Sequence, residues 1–288
     1  MSYIQTKETK VFYERQVVKG STPLLLLHGG PGGDSRNLRK LFDLFPDRTL
    51  YTYDQGGGGR SGKIPPNKRN IVYFVQELKE LIALWKLDRF HLFGGSWGTT
   101  LALEYYLRVK NNGVQSLLFS SPMFSAPLWE QDAHRLIKKL PNKTRKIIQY
   151  CHEIGATDAK VYQEAMQVFY LKHVLRDRKK LLAMMHKKAK NNPQGREIYQ
   201  YMWGASEFSP TGTLKKYDRT RDLYKISVPT FFSCGQYDEA TPKTVKLFHQ
   251  KVKGSQFQVI ANASHVSNVE RPKEFVKGIQ TFLHEVEA

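Results

Sequence analysis

Between the apolar run RFHLF (Arg89 to Phe93) and the helical pattern TTLALEYYL (Thr99 to Leu107) stands GGSWG, Gly94 to Gly98. A strand that passes into a helix through so few residues has few backbone routes. The spacing G-x-S-x-G selects one of them, a strained turn that lifts the serine hydroxyl above the end of a sheet. Bulky neighbours two residues to either side would collide across that turn, and glycine at 94 and 98 removes the crowding. The motif asks for a sheet with crossover helices around it and nominates Ser96 as a nucleophile.

The rest of the chain supplies that frame. PLLLLH (Pro23 to His28), RTLYTYD (Arg48 to Asp54), GVQSLLFSS (Gly113 to Ser121), VPTFFSCG (Val228 to Gly235) and FQVIA (Phe257 to Ala261) read as strands. Between them, Ile71, Phe74, Val75, Leu78, Leu81, Ile82 and Trp85 keep a helical period. Thr241-Pro242 opens another helix, a hydroxyl cap followed by proline at the first helical position. This alternation predicts a mostly parallel sheet with crossover helices.

The rhythm breaks between Met123 and Thr211, where VYQEAMQVFYLKHVL and RKKLLAMMHKKAK read as helices without convincing strands. Ser-Pro pairs at 121–122 and 209–210 punctuate both edges. The expected organisation is one α/β core, residues 1–122 and 212–288, interrupted by a helical cap over 123–211. No internal repeat is evident.

A serine hydroxyl needs a base, and the base needs a carboxylate to orient it. In this fold they follow in the order serine, acid, histidine, each after a strand. GQYDEATP places Asp238 just beyond the Val228–Gly235 strand, and NASHVSN places His265 just beyond the next. Among the nine histidines, His249 and His284 fall in helical patterns, His91 lies in a strand, and His134, His152, His173 and His186 lie in the cap. His265 alone is both late and in a loop after a strand. The predicted triad is Ser96 as nucleophile, His265 as general base and acid, and Asp238 as orienter. Developing negative charge on the substrate oxygen needs donors. The backbone N–H of Trp97 is one, and HGGPGG (His28 to Gly33) supplies the other from Gly29 or Gly30.

The run GGGGRSGK (Gly56 to Lys63) invites a different reading, since Gly57 to Lys63 fits G-x-x-x-x-G-K, the opening of a phosphate-binding loop. Such a loop continues through serine or threonine into a helix. Here Lys63 is followed by Ile64-Pro65-Pro66, which cannot bind magnesium and breaks the helix. The glycines are expected instead to shape a loop beside the nucleophile.

Formal net charge is +19, and residues 123–211 hold 16 Lys and Arg against 8 Asp and Glu. Such a surface can attract polyanions, but neither a metal finger nor an aromatic nucleic-acid signature accompanies it. It reads as a solvated basic face, and no nucleic-acid partner is expected. MSYIQTKETK has no apolar stretch behind its charges, and no run approaches a membrane span of about 20 residues. Cys151 and Cys234 show no metal-ligand spacing. The expectation is a cytoplasmic protein needing neither metal nor cofactor.

HGGPGG, DQGGGGRS (Asp54 to Ser61), GGSWGTTLALEY and GQYDEATP together resemble the proline iminopeptidases, serine aminopeptidases of the α/β-hydrolase fold. The resemblance implies release of an N-terminal residue, often proline, from small peptides with a free amino terminus. It also implies glutamates that bind the α-ammonium through charge-assisted hydrogen bonds. Glu239, beside the triad aspartate, matches one, and Glu207 in MWGASEF looks like the other; Trp203 and Phe208 could wall a pocket for a proline ring. The loop departs from the family at Gly56, where a bulkier residue is usual. Two alternatives stand beside this reading. One is an amino-acid amidase or esterase using the same triad. The other is a basic binding module without catalysis, which would not require an intact triad.

Overall fold

The computed structural model describes residues 2–288, except for the side chains of residues 186–191, so the reading of His186 lies outside what is described. Among the described residues eight strands form one sheet. They are β1 (Ser2–Gln5), β2 (Lys10–Gln16), β3 (Leu24–Leu27), β4 (Leu50–Tyr53), β5 (Phe90–Gly95), β6 (Val114–Ser120), β7 (Thr230–Gly235) and β8 (Gln256–Ile260). Their spatial order is β1-β2-β4-β3-β5-β6-β7-β8. From β4 to β8 every neighbouring pair is parallel, while β2 runs antiparallel to both β1 and β4.

The helices are α1 (Arg36–Arg39), α2 (Ile71–Leu84), α3 (Trp97–Arg108), α4 (Ala126–Ile137), α5 (Asn142–Glu153), α6 (Lys160–His173), α7 (Arg178–Asn191), α8 (Pro193–Met202), α9 (Pro242–His249), α10 (Ser267–Glu270) and α11 (Pro272–Glu287). Asn70 caps α2 by accepting from Tyr73 N at 3.0 Å. Thr241 caps α9 by accepting from Thr244 N at 3.4 Å.

The run of four leucines in β3 explains the layering. Leu25 and Leu27 pack into a core shared with α2 and α3, whereas Leu24 and Leu26 enter a second core with α11. A strand covered on both faces must be apolar at every position, so PLLLLH is an uninterrupted run rather than an alternating one. The antiparallel β1–β2 pair at the sheet edge escaped the sequence reading. Its strands are only partly covered, and charged residues interrupt the alternation in KVFYERQ.

Helices α4–α8 lie between β6 and β7; α4–α7 share an apolar core of their own, including Ile148, Tyr162, Met166, Phe169 and Phe208, whereas α8 sends Ile198 and Met202 into the core of the sheet. Their first helix is tied to the sheet domain by a buried carboxylate. Asp132 on α4 accepts hydrogen bonds from Thr241 Oγ1 at 2.7 Å and Thr244 Oγ1 at 2.5 Å, both at the start of α9. The chain returns to the sheet through Arg219, whose Nε donates to buried Glu104 on α3 at 2.7 Å. Among the described residues no helix is long and apolar enough to cross a membrane.

Candidate active site

Ser96 stands between β5 and α3 with φ 52° and ψ −123°, a conformation that L-residues rarely hold. Its N–H donates to Ser120 O at 2.9 Å, and its carbonyl accepts from Thr99 N at 2.8 Å and Thr99 Oγ1 at 2.6 Å. The flanking glycines are needed because backbones touch. A Cβ at Gly94 would lie 2.3 Å from Gly98 O, and one at Gly98 would lie 2.3 Å from Leu27 O. A Cβ at Gly29 would lie 2.9 Å from Ser96 Cβ. Strand, helix and the loop after β3 are thereby locked together around the serine.

Asp238 follows β7 and is fully buried, with each carboxylate oxygen engaged. Oδ1 accepts from His265 Nδ1 at 2.8 Å and from Ala240 N at 2.9 Å. Oδ2 accepts from Ser121 Oγ at 2.6 Å and from Gly235 N at 3.2 Å. Ser121 was read in the sequence only as the edge of a segment. Yet β6 lies between β5 and β7, so a residue at its end must fall between Ser96 and Asp238. Burial works against charge on His265, but Asp238 outweighs it with help from Glu239, whose Oε1 is 3.9 Å from His265 Nδ1, and from Glu207. The imidazole is pushed up to about 9.

Ser96 and Trp97 share a small cavity with Gly30, Pro31, Met123, Trp129, Tyr199, Trp203 and Glu207. Among the described residues no hydrogen bond joins Ser96 Oγ to His265. Trp129 lines the cavity that Ser96 also lines, and it meets the His265 ring edge to face at 5.6 Å. Catalytic hydrogen bonds of this kind tighten when substrate is bound. A larger open depression of about 490 Å³ lies near Asn111 and Lys225 and holds none of the predicted site residues.

The structure brings both predicted glutamates to this region. Glu207 borders the cavity, and its backbone carbonyl accepts from Trp129 Nε1 at 2.8 Å. Glu239 is buried beside the Asp238–His265 pair, and its N–H donates to His173 O at 3.3 Å. Trp203 walls the cavity as expected. Phe208 does not; it packs 4.9 Å from Phe169 in the core of the inserted helices. Tyr170 and Tyr199 escaped the sequence reading, because tyrosines on a helix carry no signal of which way they face. Burial, reinforced by Glu207, pushes both hydroxyls well above their usual range and keeps them protonated.

The glycine-rich loop buttresses the same site. Gln55 accepts from Trp97 Nε1 at 2.9 Å, and its side chain donates to His28 O at 3.3 Å. Asp54 gathers Ser35 and Arg60, with Ser35 Oγ at 2.6 Å and Arg60 Nε at 2.7 Å. Gly56 N donates to both oxygens of buried Glu77, at 3.1 and 3.0 Å, and a Cβ there would lie 2.5 Å from Glu77 Oε2. Its backbone donor therefore serves a carboxylate of the protein itself. Burial pushes Glu77 up to about 7, although the bonds from Gly56 and Tyr73 pull it back. Among the described residues no group of three or more His, Cys, Asp or Glu is placed to hold a metal ion.

A family model described as the alpha/beta hydrolase fold matches residues 22–272. Over 268 residues the chain is 39% identical to a proline iminopeptidase of Heyndrickxia coagulans, covering 93% of this chain and 92% of that relative. The crystal structure of a proline iminopeptidase of Mycobacterium smegmatis superposes with a TM-score of 0.87 at 26% identity, over 99% of this chain and 98% of that one. The crystal structure of VinJ superposes at 0.90 with 29% identity and the same coverage.

Two stability measurements check this local physics. At the strained Ser96 position the usual order of alanine and glycine should reverse, so Ser96→Gly should exceed Ser96→Ala by about 1 kcal/mol in urea unfolding. Equal midpoints would remove the strain from the account. Glu77 is the second case. Between pH 4.5 and about 7 the folded chain keeps a proton that the unfolded chain has lost, so stability falls as pH rises through that window. Relative to Glu77→Gln, the native chain should lose on the order of 3 kcal/mol across it; parallel curves would show Glu77 ionised throughout.

Proposed function

This chain belongs to the proline iminopeptidase family of the α/β hydrolase fold, and from that membership we propose that it is a serine aminopeptidase releasing one N-terminal residue, preferentially proline, from small peptides. The observation that carries the reading is one cavity that both Ser96 and Glu207 line, with Glu239 beside the Asp238–His265 pair. Carboxylates near a nucleophile suit a substrate that carries its positive charge next to the scissile carbonyl. Helices α4–α8 serve as the cap that supplies Trp129, Tyr199, Trp203 and Glu207.

In this mechanism Ser96 Oγ attacks the carbonyl carbon while its proton passes to His265 Nε2. Asp238 fixes the ring through Nδ1 and stabilises the imidazolium. The carbonyl oxygen, now negative, accepts from the N–H of Trp97 and from a second donor in the HGGPGG loop. Gly30 suits that place better than Gly29 because it borders the cavity with Ser96 and Trp97. Collapse breaks the C–N bond, and the proton on His265 goes to the departing amine. Water then attacks the acyl-enzyme with His265 as base, releasing the free amino acid and restoring the Ser96 hydroxyl.

The high affinity of His265 for a proton also has a role. An ammonium seated against Glu207 and Glu239 offsets the negative charge that helps hold the imidazole protonated, so a substrate with a free amino terminus helps to generate its own base. The alternative is an amino-acid amidase or esterase using the same triad, and in the form that accepts substrates without a free α-amine it gains nothing from those glutamates.

A comparison of prolyl arylamide with its N-acetyl form separates the two. Loss of the charge-assisted contacts should lower kcat/KM by about 10- to 100-fold, whereas equal rates would leave the esterase or amidase reading. Ser96→Ala should reduce kcat by up to about 10⁶-fold, and near-native activity would exclude Ser96 as nucleophile. With a small neutral ester, kcat/KM should climb as pH rises through about 9, where His265 becomes neutral. Glu239→Gln should move that limb to lower pH, and an unmoved limb would detach Glu239 from the base.

A further inference from the structure

The inserted helices meet the sheet domain most closely where α8 touches the loop after β3. Gly195 and Gly32 approach backbone to backbone: a Cβ on Gly195 would lie 2.1 Å from Gly32 O, and one on Gly32 would lie 2.2 Å from Gly195 O. Asn192, at the start of α8, donates through Nδ2 to Gly32 O at 2.7 Å and accepts from Gly195 N at 3.1 Å. Two positions on, Gln194 makes a two-way bond with the backbone of Ile64, at 3.2 and 2.9 Å. The helix is therefore fixed at its first turn to the loop that carries Gly30 and Pro31.

The same helix carries part of the cavity lining. Tyr199 lies one turn beyond Gly195 and Trp203 two turns beyond, on the same helical face. Both border the cavity with Ser96, and Glu207 follows four residues later. Tyr199 also lies against Gly30, where a Cβ would be 3.8 Å from its ring.

We propose that α8 is the gauge of the site: the Gly32–Gly195 contact and the Asn192 tie set the separation between the HGGPGG loop and the wall formed by Tyr199, Trp203 and Glu207, and so limit the enzyme to removing one residue. Gly195 and Asn192 are positioning residues; neither touches the reacting atoms. This inference rests on the aminopeptidase reading above.

Gly195→Ala supplies the test. Relief of a 2.1 Å approach to an ordinary contact requires a backbone shift of about 1 Å, and displacement on that scale costs on the order of 100-fold in a positioned site. KM for prolyl arylamide should rise at least about 10-fold, while hydrolysis of a small neutral ester, which needs only the Ser96–His265–Asp238 set and its oxyanion donors and no contact with the wall, keeps its kcat. A dipeptidyl arylamide should improve relative to prolyl arylamide as the wall recedes. Asn192→Asp gives an independent arm that keeps the helix cap but cannot donate to Gly32 O, and it should show the same split in smaller degree. Unchanged KM in both variants overturns the proposal, as does a parallel fall in ester turnover, which would mark a purely structural contact. The parent reading is judged separately, on the native enzyme: if it cleaves N-acetyl-prolyl and prolyl arylamides alike, the aminopeptidase assignment fails whatever the variants do.

Discussion

Three close backbone approaches hold Ser96 where it is, and the remainder of the site is built outward from them. Gly94 against Gly98, Gly98 against Leu27 O, and Gly29 against Ser96 leave no room for a side chain at any of the three glycines. They keep the serine at a positive φ that the residue would otherwise avoid. Strain of this sort persists only where packing over-determines it. Here β3 and β5 pair in parallel, and their four-residue register ends at Leu27 and Gly94, so the packing comes from the centre of the sheet. The centre of the sheet thus carries a strained residue at its edge.

The charged groups are arranged with the same economy. Asp238 uses both oxygens, one on His265 and one on Ser121, so its charge is buried without being left bare. Ser121 in turn sits one residue beyond the carbonyl that receives the Ser96 N–H. The ends of β5, β6 and β7 are thereby stitched together by short polar links, and the sheet itself sets the distances among nucleophile, base and acid. The glutamates belong to a different layer. Glu239 comes from the loop of Asp238, but Glu207 arrives from the inserted helices, whose seat depends on Asp132, Arg219 and the first turn of α8. On the proposed reading, chemistry and substrate recognition are held by separate sets of contacts, so each is expected to respond to its own substitutions.

Much of this was legible in the sequence wherever local geometry forces composition. GGSWG needs its glycines for contacts within reach of the serine, and doubly buried strands such as LLLL and TFFSCG must be apolar throughout. The order of Ser96, Asp238 and His265 follows from the strands that precede them. Features that depend on distant partners were not legible. Edge strands β1 and β2 lack a strict pattern because one side is solvated. Ser121 looks like any serine before a proline until β6 is known to lie between β5 and β7. Trp203 and Phe208 are five residues apart and equally aromatic, yet one faces the cavity and the other the core of the inserted helices. The need for glycine at position 56 has a reason only the fold supplies, since Glu77 and the Tyr73 hydroxyl occupy the space a side chain would need.

The central claim is that the Ser96 hydroxyl is the nucleophile and that a neighbouring free ammonium directs substrates to it. Treating the purified enzyme with a proline-derived aryl phosphonate, then mapping the adduct by peptide mass spectrometry, examines both parts at once. The account requires the phosphorus to be bonded to Ser96, with labelling slowed markedly when the amine of the reagent is acetylated. An adduct on any other residue, or equal labelling by both reagents, would contradict it.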